Sequence, residues 1–138
     1  AFIAADVIVG FPQETKEDFL STYQFIESLP LAFLHVFTYS ERPNTIAAKM
    51  QGKVPIAERR ERSKELQNLP IEKKLKFYEK NCGNKGKILW EADNEKGLMF
   101  GFSENYIRVA RNFDEKYIKQ TTEETLKELD TANQYYKT

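Results

Sequence analysis

Ile3–Ala4–Ala5–Asp6–Val7–Ile8–Val9–Gly10 is almost continuously apolar and β-branched at its centre, the composition of a strand buried on both faces in a parallel sheet. Phe11–Pro12–Gln13–Glu14–Thr15 stops it. Thr15 can cap a helix, with Asp18 three residues on to complete a capping-box-like pair. Phe19, Tyr23, Ile26 and Leu29 follow at helical spacing, with Lys16, Glu17, Gln24 and Glu27 on the other side. Pro30 ends the helix. Leu31 to Tyr39 is a second apolar run of β-formers. Strand, helix and strand with short links make a βαβ unit, whose strands are parallel. One such unit has too little sheet to stand alone. Residues 1–53 therefore read as the last part of a cut α/β barrel, entered partway, with the remaining strands supplied from elsewhere. Open strand edges invite pairing, so a homo-oligomer through this region is expected.

Downstream, Ser40 to Val54 is polar and contains Pro43, Asn44 and Gly52, the composition of a functional loop or connector. Pro55 suits a first helical turn. Glu58 to Gln67 is a charged helix with few apolar anchors, Pro70 breaks or kinks it, and Ile71 to Asn81 resumes with Leu75 and Tyr78 on one side. Gly83 is a helix stop. Residues 54–83 thus read as linker helices. From Gly86 the period changes. Ile88–Trp90, Leu98–Phe102, Tyr106–Ala110, Thr121–Leu129 and Gln134–Tyr136 are five short strands. A turn cluster sits at Asp93–Gly97 and a helical turn at Asp114–Lys119. Residues 84–138 are therefore expected to form a small, OB-like, five-stranded β-barrel. The fold class is α/β plus all-β.

With 138 residues the chain has room for one ordinary domain or two small ones, and 41% hydrophobic with 30% charged residues fits a folded rather than a disordered chain. No apolar run approaches the length needed to cross a bilayer, and no basic region precedes an apolar stretch at the N-terminus. The single cysteine, Cys82, makes no internal disulfide and no metal cluster, and a cytoplasmic location is the default. Net charge is zero, and only Lys53 to Cys82 carries an excess of basic residues. A neutral chain is a poor independent ligand for phosphate backbones, so it either binds no nucleic acid or helps a larger body do so.

Several residues have two readings. Asp6, a charge in a buried strand, is a structural carboxylate or a ligand-facing one. Arg42 follows the second strand, where it is a solvated loop residue or a clamp for carboxylate or phosphate. His35 reads as a core or sheet-face histidine. Trp90, Phe100, Phe102, Tyr106 and Phe113 are barrel core or stacking platforms for bases. Tyr106 with Arg108 and Arg111 is the best RNA-facing group. Arg59, Arg60, Arg62 and Lys64 are a solvated helix face or a track for an RNA backbone.

Asp6–Val7–Ile8–Val9–Gly10–Phe11–Pro12–Gln13–Glu14–Thr15 with Glu17–Asp18–Phe19 resembles the fifth barrel strand and next helix of radical S-adenosylmethionine methylthiotransferases. Leu34–His35–Val36–Phe37–Thr38–Tyr39–Ser40–Glu41–Arg42–Pro43–Asn44–Thr45 resembles their sixth strand and exit loop. Gly101–Phe102–Ser103–Glu104–Asn105–Tyr106–Ile107–Arg108–Val109 resembles the centre of their C-terminal TRAM domain, a small β-barrel that contacts RNA. The threonylcarbamoyladenosine branch is the best match; a non-enzymatic RNA-binding module and the ribosomal-protein branch are the alternatives. The resemblance implies a tRNA substrate, S-adenosylmethionine and two [4Fe–4S] clusters in the parent enzyme. It places Ile8 and Val9 against the adenine and backbone near Phe37 and Tyr39 on its edge, with Asp6, Gly10 and Arg42 completing the cofactor wall. Clusters need several thiolates, so with Cys82 alone this chain is expected to hold neither cluster and to be inactive by itself. The family usually has Gly where this chain has Gln13 and Asn44. Asn tolerates a left-handed backbone, and Gln is strained there.

Overall fold

In the computed structural model, which describes Ala1–Thr138, Thr15 caps the first helix as its position predicts. Its hydroxyl accepts from the Asp18 N–H at 3.1 Å, and its own N–H donates to the Asp18 carboxylate at 2.9 Å. These bonds hold the Asp18 carboxyl below the usual carboxylate range. Strand β1 (Ala4–Val9), helix α1 (Lys16–Ser28) and strand β2 (Phe33–Thr38) form the βαβ unit. The strands are parallel, in register from Ala4 opposite Phe33 to Val9 opposite Thr38. The buried Lys73 ammonium donates to the Glu27 and Leu29 carbonyls at 3.1 and 2.7 Å, a cationic cap where α1 leaves its last carbonyls unpaired.

Beyond β2 lie α2 (Ile46–Lys49), α3 (Ile56–Leu66) and α4 (Asn68–Glu79). The chain breaks at Gln67, three residues before Pro70, because Pro70 has no N–H for the Leu66 carbonyl. Pro70 sits instead in the first turn of α4, where that N–H would be unpaired anyway. Val9, Phe19, Ile26, Leu34, Leu66 and Leu69 form the core of this part. One expectation fails here: β1 is buried on one face only. Ala5, Val7 and Val9 pack on that core, whereas Ala4, Asp6 and Ile8 are exposed. Side chains alternate across a strand, and the core occupies one face of this two-stranded sheet.

The second compact unit comprises Leu75–Thr138 with Ala1–Phe2, the first being Ile3–Lys74, so the division falls inside α4. Its strands are β3 (Lys85–Trp90), β4 (Leu98–Ser103), β5 (Arg108–Asn112), β6 (Thr121–Thr125), β7 (Glu128–Asp130) and β8 (Tyr135–Lys137). They form one sheet in the order β6-β3-β4-β5-β8-β7. The expected small, OB-like, five-stranded barrel is instead a six-stranded open sheet, with β6 and β7 at its edges. The stretch Thr121–Leu129 makes two strands because the chain turns in at buried Leu126, whose N–H donates to the Asn84 carbonyl at 2.9 Å and whose carbonyl accepts from Gly83 at 2.7 Å. Tyr78, Ile88, Trp90, Met99, Ile107, Val109, Leu126 and Tyr136 form the core. Polar tips inside it are satisfied: the Tyr136 hydroxyl donates to the Tyr78 carbonyl at 2.7 Å, and the Trp90 indole N–H to the Thr122 hydroxyl at 2.7 Å.

Candidate functional site

The bare face of the β1–β2 pair is the first place where apolar side chains lack a partner. Ile8 and Phe37 stand opposite each other there, 58% and 51% exposed, with Asp6 opposite His35 one step back. Phe33, His35 and Phe37 run down β2 as a ladder, with ring centroids 5.0 and 6.5 Å apart. At the C-terminal end, the Tyr39 N–H donates to the Val9 carbonyl at 2.8 Å. The Tyr39 ring lies between Phe11 (5.3 Å) and the Arg59 guanidinium (5.4 Å), and its hydroxyl is buried with no hydrogen-bond partner. Arg42 is exposed on the loop that follows.

Asp6, Ile8 and Phe37 thus share one face, with Tyr39 and Arg42 beyond its C-terminal end. Val9 and Gly10 do not join them. The Val9 side chain is 1% exposed, inside the core; neighbouring strand residues cannot present side chains to the same face. Gly10 is buried, its N–H donates to both Glu14 carboxylate oxygens at 3.1 Å, and the Arg59 side chain covers it. A Cβ at Gly10 would lie 2.4 Å from Arg59 Cγ. With φ at +77°, the position takes glycine for two independent reasons.

Arg59 and Arg62, expected to track an RNA backbone, are 4% and 6% exposed and are spent inside the fold. Arg59 donates to the Val54 carbonyl at 2.6 Å, the Tyr39 carbonyl at 3.1 Å and the Glu41 carboxylate at 2.6 and 3.1 Å. Arg62 pairs with Glu14 and Glu58 and donates to the Glu14 carbonyl at 3.0 Å. The guanidinium forks tie α3 to the loops that leave β1 and β2, which is where the bare face ends. Hydrogen bonds from Arg59 hold the Glu41 carboxyl down at about 2. The signal for this was spacing. Arg59, Arg62, Ser63 and Leu66 occupy i, i+3, i+4 and i+7, the buried stripe of α3, and two arginines stand where apolar anchors are the norm. Glu14 and Glu41 were missed because their partners lie far off in sequence.

In the second unit, Tyr106 is 66% exposed and its backbone is left-handed, φ +59°. Buried Tyr78 holds this turn, its hydroxyl donating to the Tyr106 carbonyl at 3.4 Å and accepting from the Arg108 N–H at 2.9 Å. Arg108 is on the outer face of the sheet, stacked on Phe100 at 3.8 Å and 3.5 Å from Glu95. Arg111 is not with them. It points to the other face, over Trp90 (5.2 Å) and Tyr117 (3.7 Å) and paired with Glu124 at 3.3 Å, since residues three apart on a strand face opposite ways. Phe102 reaches the outer face beside Leu89, its cross-strand partner. Trp90 is in the core and Phe113 packs against it.

An iron–sulfur cluster needs several converging thiolates. Cys82 is the one cysteine and is exposed, and no three His, Cys, Asp or Glu side chains converge. The donor set does not fit such a cluster. No helix is long and apolar enough to cross a membrane.

No protein-family model matches the chain. The threonylcarbamoyladenosine tRNA methylthiotransferase of Aquifex aeolicus is 41% identical over 109 residues, covering 79% of this chain and 25% of that protein. The enzyme of the same name from Thermotoga maritima is 34% identical, covering 77% and 24%. The ribosomal protein uS12 methylthiotransferase of Alkaliphilus oremlandii is 34% identical, covering 90% and 28%. The chain therefore spans about a quarter of the length of the curated relatives it matches. By this similarity, running through both compact units, the chain belongs to the methylthiotransferase family and is most like its threonylcarbamoyladenosine branch.

Proposed function

We propose that the chain is the C-terminal part of a tRNA methylthiotransferase, one that adds a methylthio group to N-threonylcarbamoyladenosine next to the anticodon in the cytoplasm. In this reading it contributes a wall of the S-adenosylmethionine pocket and an RNA-contacting TRAM-type domain. The observation that carries it is the bare apolar patch of Ile8 and Phe37 at the C-terminal end of a parallel strand pair, where α/β barrels bind ligands, in a chain with such relatives. The two apolar side chains suit the faces of an adenine, and exposed Arg42 suits the amino-acid carboxylate of the cofactor. Asp6 lies on the same face, available to a polar group of the nucleoside. The β1–β2 pair is then a segment of a (β/α) radical barrel whose lumen is the bare face. Both strands keep an unpaired edge for neighbouring strands, or for a second copy of the chain.

Ile8, Phe37 and Arg42 would hold S-adenosylmethionine in the parent, where the bound cofactor would supply radical chemistry. The parent's two [4Fe–4S] clusters have no ligand set in this chain, and no step is assigned to it through them. Alone it is inactive, and iron and sulfide analysis after anaerobic reconstitution should find no stoichiometric cluster. The RNA role is tested by gel shift of the 138-residue chain with unmodified tRNA. A retarded complex that weakens between 50 and 200 mM salt is expected. No retardation at either salt, with the protein folded by circular dichroism, overturns the tRNA reading.

A further inference from the structure

The second unit carries equal numbers of basic and acidic side chains, and both of its arginines and three of its lysines are already in ion pairs. Such a surface is poorly suited to counting phosphates. It does have a cleft of about 470 Å³ on the outer face of β3 and β4, lined by Lys87, Leu89, Glu91, Phe102, Glu104 and Tyr106. Leu89 and Phe102 are directly opposed across the two strands and form an apolar floor, more than a third exposed to solvent. Tyr106 forms a wall. Its left-handed backbone is strained for a bulky residue, and the Tyr78 hydroxyl holds the turn from below. Phe2 supports the ring, with centroids 5.6 Å apart. The rim is mixed: the Lys87 ammonium is on one strand, and Glu104 is anchored by the Lys87 N–H at 2.9 Å. No hydrogen bond or ion pair engages the Glu91 carboxylate.

We propose that this cleft seats an unpaired nucleobase carrying an exocyclic amine, stacked between Tyr106 and the Leu89–Phe102 floor and donating to Glu91. The idea rests on the tRNA reading above and adds to it that contact is made through base faces more than phosphates. A flat, apolar body with a polar edge matches an apolar floor beside an acceptor. A phosphate does not, because Glu91 and Glu104 repel it. Stacking on aromatic side chains is sequence-tolerant, so Glu91 is the source of any base preference.

The test is fluorescence anisotropy of the whole chain with labelled single-stranded oligo(A) and oligo(U) octamers, and with a duplex RNA of the same length. Oligo(A) is expected to bind better than oligo(U), which has no amine, and both better than the duplex, whose base faces are covered. Tyr106→Asn keeps a residue tolerant of positive φ and should weaken oligo(A) binding about ten-fold. Phe102→Ala should do the same, with folding checked by circular dichroism. Glu91→Ala should narrow the preference for oligo(A) over oligo(U). Raising salt from 50 to 200 mM should cost less than about ten-fold, the slope of one or two phosphates. If tRNA binds but the cleft variants leave affinity unchanged, or the duplex binds as well as the single strand, the cleft assignment is wrong while the tRNA reading stands. If neither tRNA nor any octamer binds, both are wrong. Self-association that the cleft variants abolish, with RNA affinity unaltered, would assign the patch to a protein partner and overturn the proposal.

Discussion

Gly10→Ala, alone and in an Arg59→Ala background, asks whether the arginine stem lying on Gly10 organises the end of the bare face. An alanine at Gly10 meets two penalties. A left-handed backbone costs a residue with a Cβ about 1–2 kcal/mol, and φ is +77°. The new Cβ also lies 2.4 Å from Arg59 Cγ and 2.9 Å from Arg59 Cβ, so the arginine must move, and such overpacking costs about 1–3 kcal/mol. Moving it strains the bonds to Val54, Tyr39 and Glu41. The single variant should therefore lose about 3 kcal/mol. Removing the arginine stem leaves only the backbone penalty, so the same substitution in Arg59→Ala should cost about 1–2 kcal/mol. Urea titrations followed by circular dichroism at 222 nm, run cold to keep the double variant folded, give all four corners of the cycle. A coupling of about 1–2 kcal/mol is expected. Strict additivity within about 0.5 kcal/mol would show that Arg59 does not pack on Gly10, and the account of the clamp would fall with it.

Two further outcomes follow from the same region. Gln13 has φ +74° and donates its N–H to the Gly52 carbonyl at 2.7 Å; Gln13→Gly should raise stability by about 0.5–1 kcal/mol once the entropy of glycine is deducted, read as a higher urea midpoint, whereas Gln13→Ala should gain nothing. Glu41 is held at about 2 by Arg59 against an ordinary value of 4.5. Its depressed carboxyl contributes stability that is full above 4.5 and lost as pH falls from 4.5 towards 2. The midpoint difference between the parent and Glu41→Gln should therefore shrink across that window, and a difference that stays constant with pH would refute the pairing.

Much of the local structure was legible in the residues. Thr15 with Asp18, the helical spacing from Phe19 to Ile26, and the β-branched run before Gly10 are short-range patterns, and each formed the element its pattern specifies. The two Gly-like positions at Gln13 and Asn44 both have left-handed backbones, as the resemblance implied. The places where the reading failed share a cause. Arg59 and Arg62 read as a solvated cluster because a guanidinium is ordinarily exposed. Only the loops brought over them, with Glu14 and Glu41, provide the bonds that make burial tolerable. The resemblance sets Val9 beside Ile8 and residue type groups Arg111 with Arg108, but alternation along a strand sends each pair to opposite faces.

The sequence by itself determined that there is a parallel strand–helix–strand piece, a helical middle and a set of short strands, because caps, periods and turn residues act over a few neighbours. It also supplies a single cysteine, fewer thiolates than an iron–sulfur cluster takes. Only the tertiary structure decided which face of β1 stays bare, which arginines are spent as clamps, and that the strands form an open six-stranded sheet with an apolar cleft on its outer side. Those outcomes depend on contacts between residues tens of positions apart. There, burial and hydrogen-bond pairing, rather than local preference, set the orientation of each side chain.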